Sequence, residues 1–124
     1  FVVRADPQVP LRTLARDGHT QLLIGDAFST DGRPLDDLLG RIAPEGGRLR
    51  GLAALDGVSG RFALLVVTGT HCYALHDAFG ARSLFYRGRD GFAVASHAQL
   101  LAHAYRIRRR ADIRALLDSP QYAK

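Results

Sequence analysis

Few side chains in this chain of 124 residues could make or break bonds. Its one thiol, Cys72, stands between His71 and Tyr73, and a thiolate beside an imidazole is how a cysteine nucleophile is activated. The local pattern argues against that use. Residues 70–76 read as a strand, in which neighbouring side chains leave opposite faces, so His71 is expected to point away from Cys72. The thiol then serves as a small buried hydrophobe. A single cysteine also forms no internal disulfide and brings no second thiol to a metal. The other histidines, His19, His76, His97 and His103, lack the i, i+4 spacing of a helical metal pair, and no metal is expected within this domain.

The densest group of chemically useful residues is Asp77, Gly80, Arg82 and Tyr86, with Ser96 further on. Gly80 lies between Phe79 and Ala81-Arg82, where freedom to take positive φ lets the chain turn, and a carboxylate at Asp77 can accept backbone N–H groups of that turn. Arg82 is expected to pair with Asp77 or Asp26, and Tyr86 to bury its ring. These roles are architectural rather than catalytic. A second group, Arg106, Arg108, Arg109 and Arg110, with Arg114 beyond, is a candidate anion-binding cluster. It carries no nucleic-acid motif and no interleaved stacking aromatics, which weighs against a nucleic-acid groove; a solvated linker face is the competing use. Sixteen of the seventeen basic residues are Arg, scattered singly outside this cluster, so the net charge of +5 is not by itself a binding signal.

The elements that must position these residues are mostly strands. Residues 1–3, broken off by Pro7 and Pro10, suit an edge strand or loop. Residues 11–19 end in the turn dipeptide Asp17-Gly18 and lead to a buried strand over 21–24, which together read as a hairpin. Turn chemistry over 29–34 opens a helix with Leu35, Leu38, Leu39 and Ile42 at helical spacing, ended by Pro44 and Gly46-Gly47. Leu49, Leu52 and Leu55 recur every three residues and predict a second helix over 48–55. Two strands over 61–68 and 70–76 meet at Gly69, and a further pair over 84–87 and 92–95 follows; short connections make these four consecutive strands antiparallel. Ser96 is expected to cap a helix through Ala98, Leu100, Leu101 and Ala104, and Asp112 another through Ile113, Leu116 and Leu117. Helices then cover the sheet. The fold class is α+β.

With 47% apolar and 23% charged residues, the chain is long enough to bury a core of its own. Its longest apolar runs fall far below the roughly 20 residues needed to cross a bilayer, and the amino terminus lacks a basic-then-apolar leader. No membrane association and a cytoplasmic location are expected.

Four segments in order carry a resemblance: Ile24-Gly25-Asp26-Ala27-Phe28-Ser29, Val58-Ser59-Gly60-Arg61-Phe62-Ala63, Asp77-Ala78-Phe79-Gly80-Ala81-Arg82-Ser83-Leu84-Phe85-Tyr86, and Phe92-Ala93-Val94-Ala95-Ser96-His97. Over about residues 20–118 the chain resembles the glutamine-amidotransferase-like amino-terminal domain of asparagine synthetases, β-lactam synthetases and lasso-peptide macrolactam synthetases. The resemblance implies an Ntn-hydrolase-like layered sandwich of mainly antiparallel sheets with flanking helices. It places that domain over residues 1–105, its first strand missing, and a linker or helix over 106–124 leading to a synthetase domain.

In that family an amino-terminal cysteine attacks the glutamine amide, and an Asn-Gly pair supplies the oxyanion hole. Here Phe1 stands first and the pair reads Ile24-Gly25, leaving Gly25 as a vestigial oxyanion position. Loss of one such donor costs about 2.7–4 kcal/mol of transition-state stabilisation. Glu45-Gly46-Gly47-Arg48 replaces the segment that holds the glutamine α-amino group. The resemblance therefore implies a domain without glutaminase activity and without a cofactor of its own. ATP and Mg are expected only in a synthetase domain, in the same chain or a partner subunit, and a homodimer is left open. Two alternatives stand: an active glutaminase domain whose cysteine lies outside these residues, and a stand-alone basic binding module.

Overall fold

The fold is described from a computed structural model covering residues 2–88 and 91–108, with residues 111 and 115. Two compact units are present, one ending at Leu84 and the other beginning at Phe85.

The first unit is built on a four-stranded antiparallel sheet, order β1-β2-β5-β6, formed by β1 (Leu11–Arg16), β2 (His19–Ser29), β5 (Val58–Val67) and β6 (Cys72–His76). The Asp17-Gly18 hairpin forms where the dipeptide predicts it: Arg16 pairs with His19 across two residues, and Gly18 takes a φ of +77°. At the other tight turn, Thr68 Oγ1 accepts from the amides of Thr70 and His71 at 3.2 and 2.8 Å, closing the β5–β6 connection. Residues 2–10 stay outside the strands, as the two prolines imply.

Between β2 and β5 the chain supplies the cover for one face of this sheet. Helix α1 (Leu35–Leu39) begins after Pro34 and is short, with Asp36 and Asp37 in its first turn where they favour the helix dipole. The helix expected over 48–55 is absent. Gly46 and Gly47, at φ +56° and +76°, close a two-residue hairpin between β3 (Ala43–Glu45) and β4 (Arg48–Arg50). Gly51, at φ +73°, then turns the chain against the Arg41 carbonyl, where a Cβ would collide. Glycine turn chemistry thus overrides the leucine spacing, and the three-residue repeat survives only as a 3-10 turn over Leu52–Gly57.

The core lies on the sheet face shared by Leu23, Phe62, Leu64 and Val66, against Leu39, Ile42 and Ala54 from the covering segment. Gln21 sits among them with no exposed surface. Its Nε2 donates to the carbonyls of Leu39 (3.0 Å) and Ile42 (2.6 Å), tying the end of α1 to the sheet and satisfying acceptors that a helix end leaves open. The continuous apolar run over 62–67 places hydrophobic side chains on both faces of β5, the pattern of an inner strand.

The second unit holds a two-stranded antiparallel ribbon, β7 (Phe85–Arg87) with β8 (Ala93–Ala95), followed by helix α2 (Ala98–Ala104). Four consecutive antiparallel strands do not form a single sheet: β6 pairs with β5 and β7 with β8, in separate sheets. The turn between β6 and β7 spends eight residues, enough to release the chain from the ladder. Ser96 does not cap α2. His97 occupies the cap position without a side-chain bond, and Ser96 Oγ instead contacts His97 Nδ1 at 2.9 Å. The helix expected from Asp112 lies outside the described residues. No described helix is long and apolar enough to cross a membrane.

Candidate functional site

Parts of three of the four segments meet within the first unit. Asp77, only 2% exposed, ends β6 with its own amide donating to the Phe62 carbonyl at 3.0 Å. Its Oδ1 accepts from the amides of Phe79 and Ala81 at 3.1 and 3.0 Å, and its Oδ2 from Arg82 at 3.2 Å. Gly80, at φ +63°, closes the turn by donating to the Asp77 carbonyl at 2.9 Å. The backbone N–H of Ala81, with those of Arg82, Phe79 and Phe62, holds the Asp77 carboxyl below the usual carboxylate range against the opposing pull of burial. This is a carboxylate that accepts three backbone amides and is almost wholly shielded from solvent, a structural use rather than acid or base work.

Arg82 leaves that turn in a direction the sequence does not predict. Its Nε donates to the Arg61 carbonyl at 3.0 Å, and no ion pair joins it to Asp77 or Asp26. The buried Asp77 oxygens are already taken by amides, while β5 offers a carbonyl within reach. The guanidinium lies where a Cβ on Gly25 would stand, and the Arg61 carbonyl crowds the same point. Gly25 (φ +101°) and Gly60 (φ +135°) are therefore glycines for packing: a Cβ on Gly60 would collide with the Asp26 carbonyl. The Gly25 amide is itself occupied, donating to the Pro10 carbonyl at 2.7 Å. The Gly25 amide is therefore not presented to a ligand.

Other expected positions are more dispersed. Tyr86 is 78% exposed on β7 rather than buried, because its strand belongs to a ribbon two strands wide. Phe79, at the tip of the Asp77 turn, is 92% exposed. Arg106 follows α2 with a left-handed φ of +53°, Arg108 is exposed, and Arg109 and Arg110 lie outside the described residues. A search against family models, curated proteins and solved structures found no match.

Cys72 is half-buried on β6, and burial pushes its thiol above the ordinary cysteine range. His71 turns from it and stacks on Tyr73, ring centroids 6.0 Å apart. A protonated, partly shielded thiol with its neighbouring imidazole on the other face has no activated nucleophile to offer. Among the described residues no group of three His, Cys, Asp or Glu is placed to hold a metal ion. Two features escaped sequence reasoning: the Arg82 reach across to Gly25 and the Gln21 bonds to the Leu39 and Ile42 carbonyls. Both depend on strand register, and only the unusual glutamine within an apolar run, Gln21-Leu22-Leu23-Ile24, hinted at either.

Proposed function

We propose that this chain is a non-catalytic, glutamine-amidotransferase-like domain of an ATP-dependent amide-forming enzyme related to the asparagine synthetases, with the layered Ntn-hydrolase-like architecture and a cytoplasmic location. The observation that carries the non-catalytic part is the state of Gly25. Its amide is committed to Pro10, Arg82 lies over its α-carbon, and the preceding residue is an isoleucine with no side-chain donor. A tetrahedral oxyanion forming at this position would find neither the asparagine side-chain donor nor the Gly25 amide that the resembled family uses, and the space beside Gly25 is filled by the Arg82 side chain.

The family part rests on the four motif segments. Three of them converge in space: Gly25 from the first, Gly60 and Arg61 from the second, and Asp77 through Arg82 from the third contact one another in a single packed knot. Such a knot serves a domain that retains its scaffold while the bond-making step belongs to a synthetase domain, which would bind ATP and Mg. Its amine would then come from the substrate instead of from glutamine.

Two assays test this reading. The purified chain, and the natural protein containing it, are expected to release no ammonia from glutamine above a buffer control. The natural protein is expected to exchange labelled pyrophosphate into ATP when its carboxylate substrate is present. Ammonia release at enzymatic rates overturns the non-catalytic assignment, and a natural protein without ATP-dependent exchange overturns the family assignment.

A further inference from the structure

Far from Gly25, about 20 Å along β2, three hairpin turns converge on a cleft of about 330 Å³. Asp17 and Gly18 come from the β1–β2 turn, Glu45, Gly46 and Gly47 from the β3–β4 turn, and Thr68, Thr70 and His71 from the β5–β6 turn, with Tyr73 beside them. We propose that this cleft binds a guanidinium group, carried by an arginine side chain of a peptide or by a small guanidine.

The lining selects for a planar cation. The rings of His71 and Tyr73 both line the cleft and lie nearly parallel, with an interplanar angle of 14°, and an aromatic ring face attracts guanidinium by both stacking and charge. The imidazole is fixed there by a 2.8 Å hydrogen bond between its Nδ1 and Thr70 Oγ1. Both acidic groups of the lining are carboxylates on turn tips. Glu45 is paired with Arg50 at 3.2 Å, whereas Asp17 makes no side-chain hydrogen bond or ion pair among the described residues. A free carboxylate beside an aromatic pair is the complement of a fork of N–H donors.

The surroundings favour a donor-rich ligand over an anion. Among the described residues no Arg or Lys lines the cleft, although the chain carries a net charge of +5. Gly18, Gly46 and Gly47 present no side chain, and the space where a Cβ would stand is open at each, so a peptide backbone could approach the turns closely.

The test is a titration of the ¹⁵N-labelled chain with agmatine, with the tripeptide Gly-Arg-Gly and with the neutral control N-butylacetamide, followed by amide chemical shifts. Agmatine or Gly-Arg-Gly is expected to produce saturable shifts at Asp17, Glu45, Thr70, His71 and Tyr73, with a Kd on the order of 1 mM for so small a ligand. N-butylacetamide is expected to produce none. Asp17→Asn keeps the hairpin turn chemistry and should weaken binding roughly two- to fivefold. His71→Ala, on an exposed turn, should weaken it by a similar factor while leaving the rest of the spectrum in place. Tighter binding of Gly-Arg-Gly than of agmatine supports a peptide arginine as the natural ligand, and the reverse supports a free guanidine. Absence of saturable shifts with both guanidines, equal shifts with N-butylacetamide, or unchanged affinity in both variants overturns the proposal.

Discussion

Asp77 is the residue around which the third motif is organised. A buried carboxylate that accepts three backbone amides is held ionised, so its carboxyl titrates lower in the folded chain than in the unfolded one. A group depressed in this way contributes stability above its unfolded pKa, near 3.9, and loses that contribution as pH falls through the folded value. We expect urea unfolding midpoints to fall as pH is lowered from 5 to 3. Asp77→Asn should lower the midpoint at pH 7 and flatten part of that acid dependence, because its amide NH₂ replaces one acceptor oxygen and faces N–H donors. An unchanged acid slope in the variant would assign the dependence to other carboxylates. Asp31 is also held well below the usual carboxylate range, mainly by its hydrogen bonds from the Arg33 side chain. That pair is exposed, and solvent screening leaves it a small effect on stability. The Asp77 turn was legible in the sequence because an Asp and a Gly three residues apart specify it locally. The Arg82 contact was not, since its acceptor on Arg61 comes from a different strand.

Among the elements, β2 and β5 carry the unit, and α1 is held to them by Gln21. A five-residue helix has too few internal hydrogen bonds to persist alone, so it depends on this clamp and on the buried Leu38 and Leu39. Gln21→Leu keeps side-chain volume and removes the unpartnered Oε1, but it strips a donor from both the Leu39 and Ile42 carbonyls. The net expectation is a loss of about 1–3 kcal/mol, measured by urea denaturation. Faster amide exchange at residues 38–42 than in β5 should accompany it. Stability equal to or above that of the parent chain would mean that relief of the orphaned oxygen outweighs the lost bonds. The hairpin at Asp17-Gly18 and the strand pair around residues 68–71 followed directly from turn residues and alternation. The supposed helix over 48–55 failed because three glycines with positive φ set the path of the chain there, and leucines three apart suit a 3-10 turn as well as a helix.

At the scale of the whole molecule, every member of the buried core cluster among the described residues lies before Leu84: Leu23, Leu39, Ile42, Ala54, Phe62, Leu64 and Val66, with Leu75 packed against them. A chain ending at Leu84 should therefore retain a cooperative unfolding transition and a strand-rich far-ultraviolet spectrum. Loss of cooperativity on that truncation would show that the core draws on the second unit. Sequence alone determined the mixed α+β class, the hairpin turns, the strand pair 85–87 with 93–95, the opposed orientation of Cys72 and His71, and the Asp77 turn. Each of these is fixed by residues within a few positions of one another, through alternation, left-handed glycines and a side chain bonding its own turn. Only the tertiary structure decided that Arg82 covers Gly25, that Pro10 takes the Gly25 amide, that Gln21 anchors α1, and that three turn tips enclose an aromatic cleft. Those contacts join segments up to 57 residues apart, as Gly25 and Arg82 are. They exist because strand register brings particular side chains to one place, and register is a property of the assembled sheet.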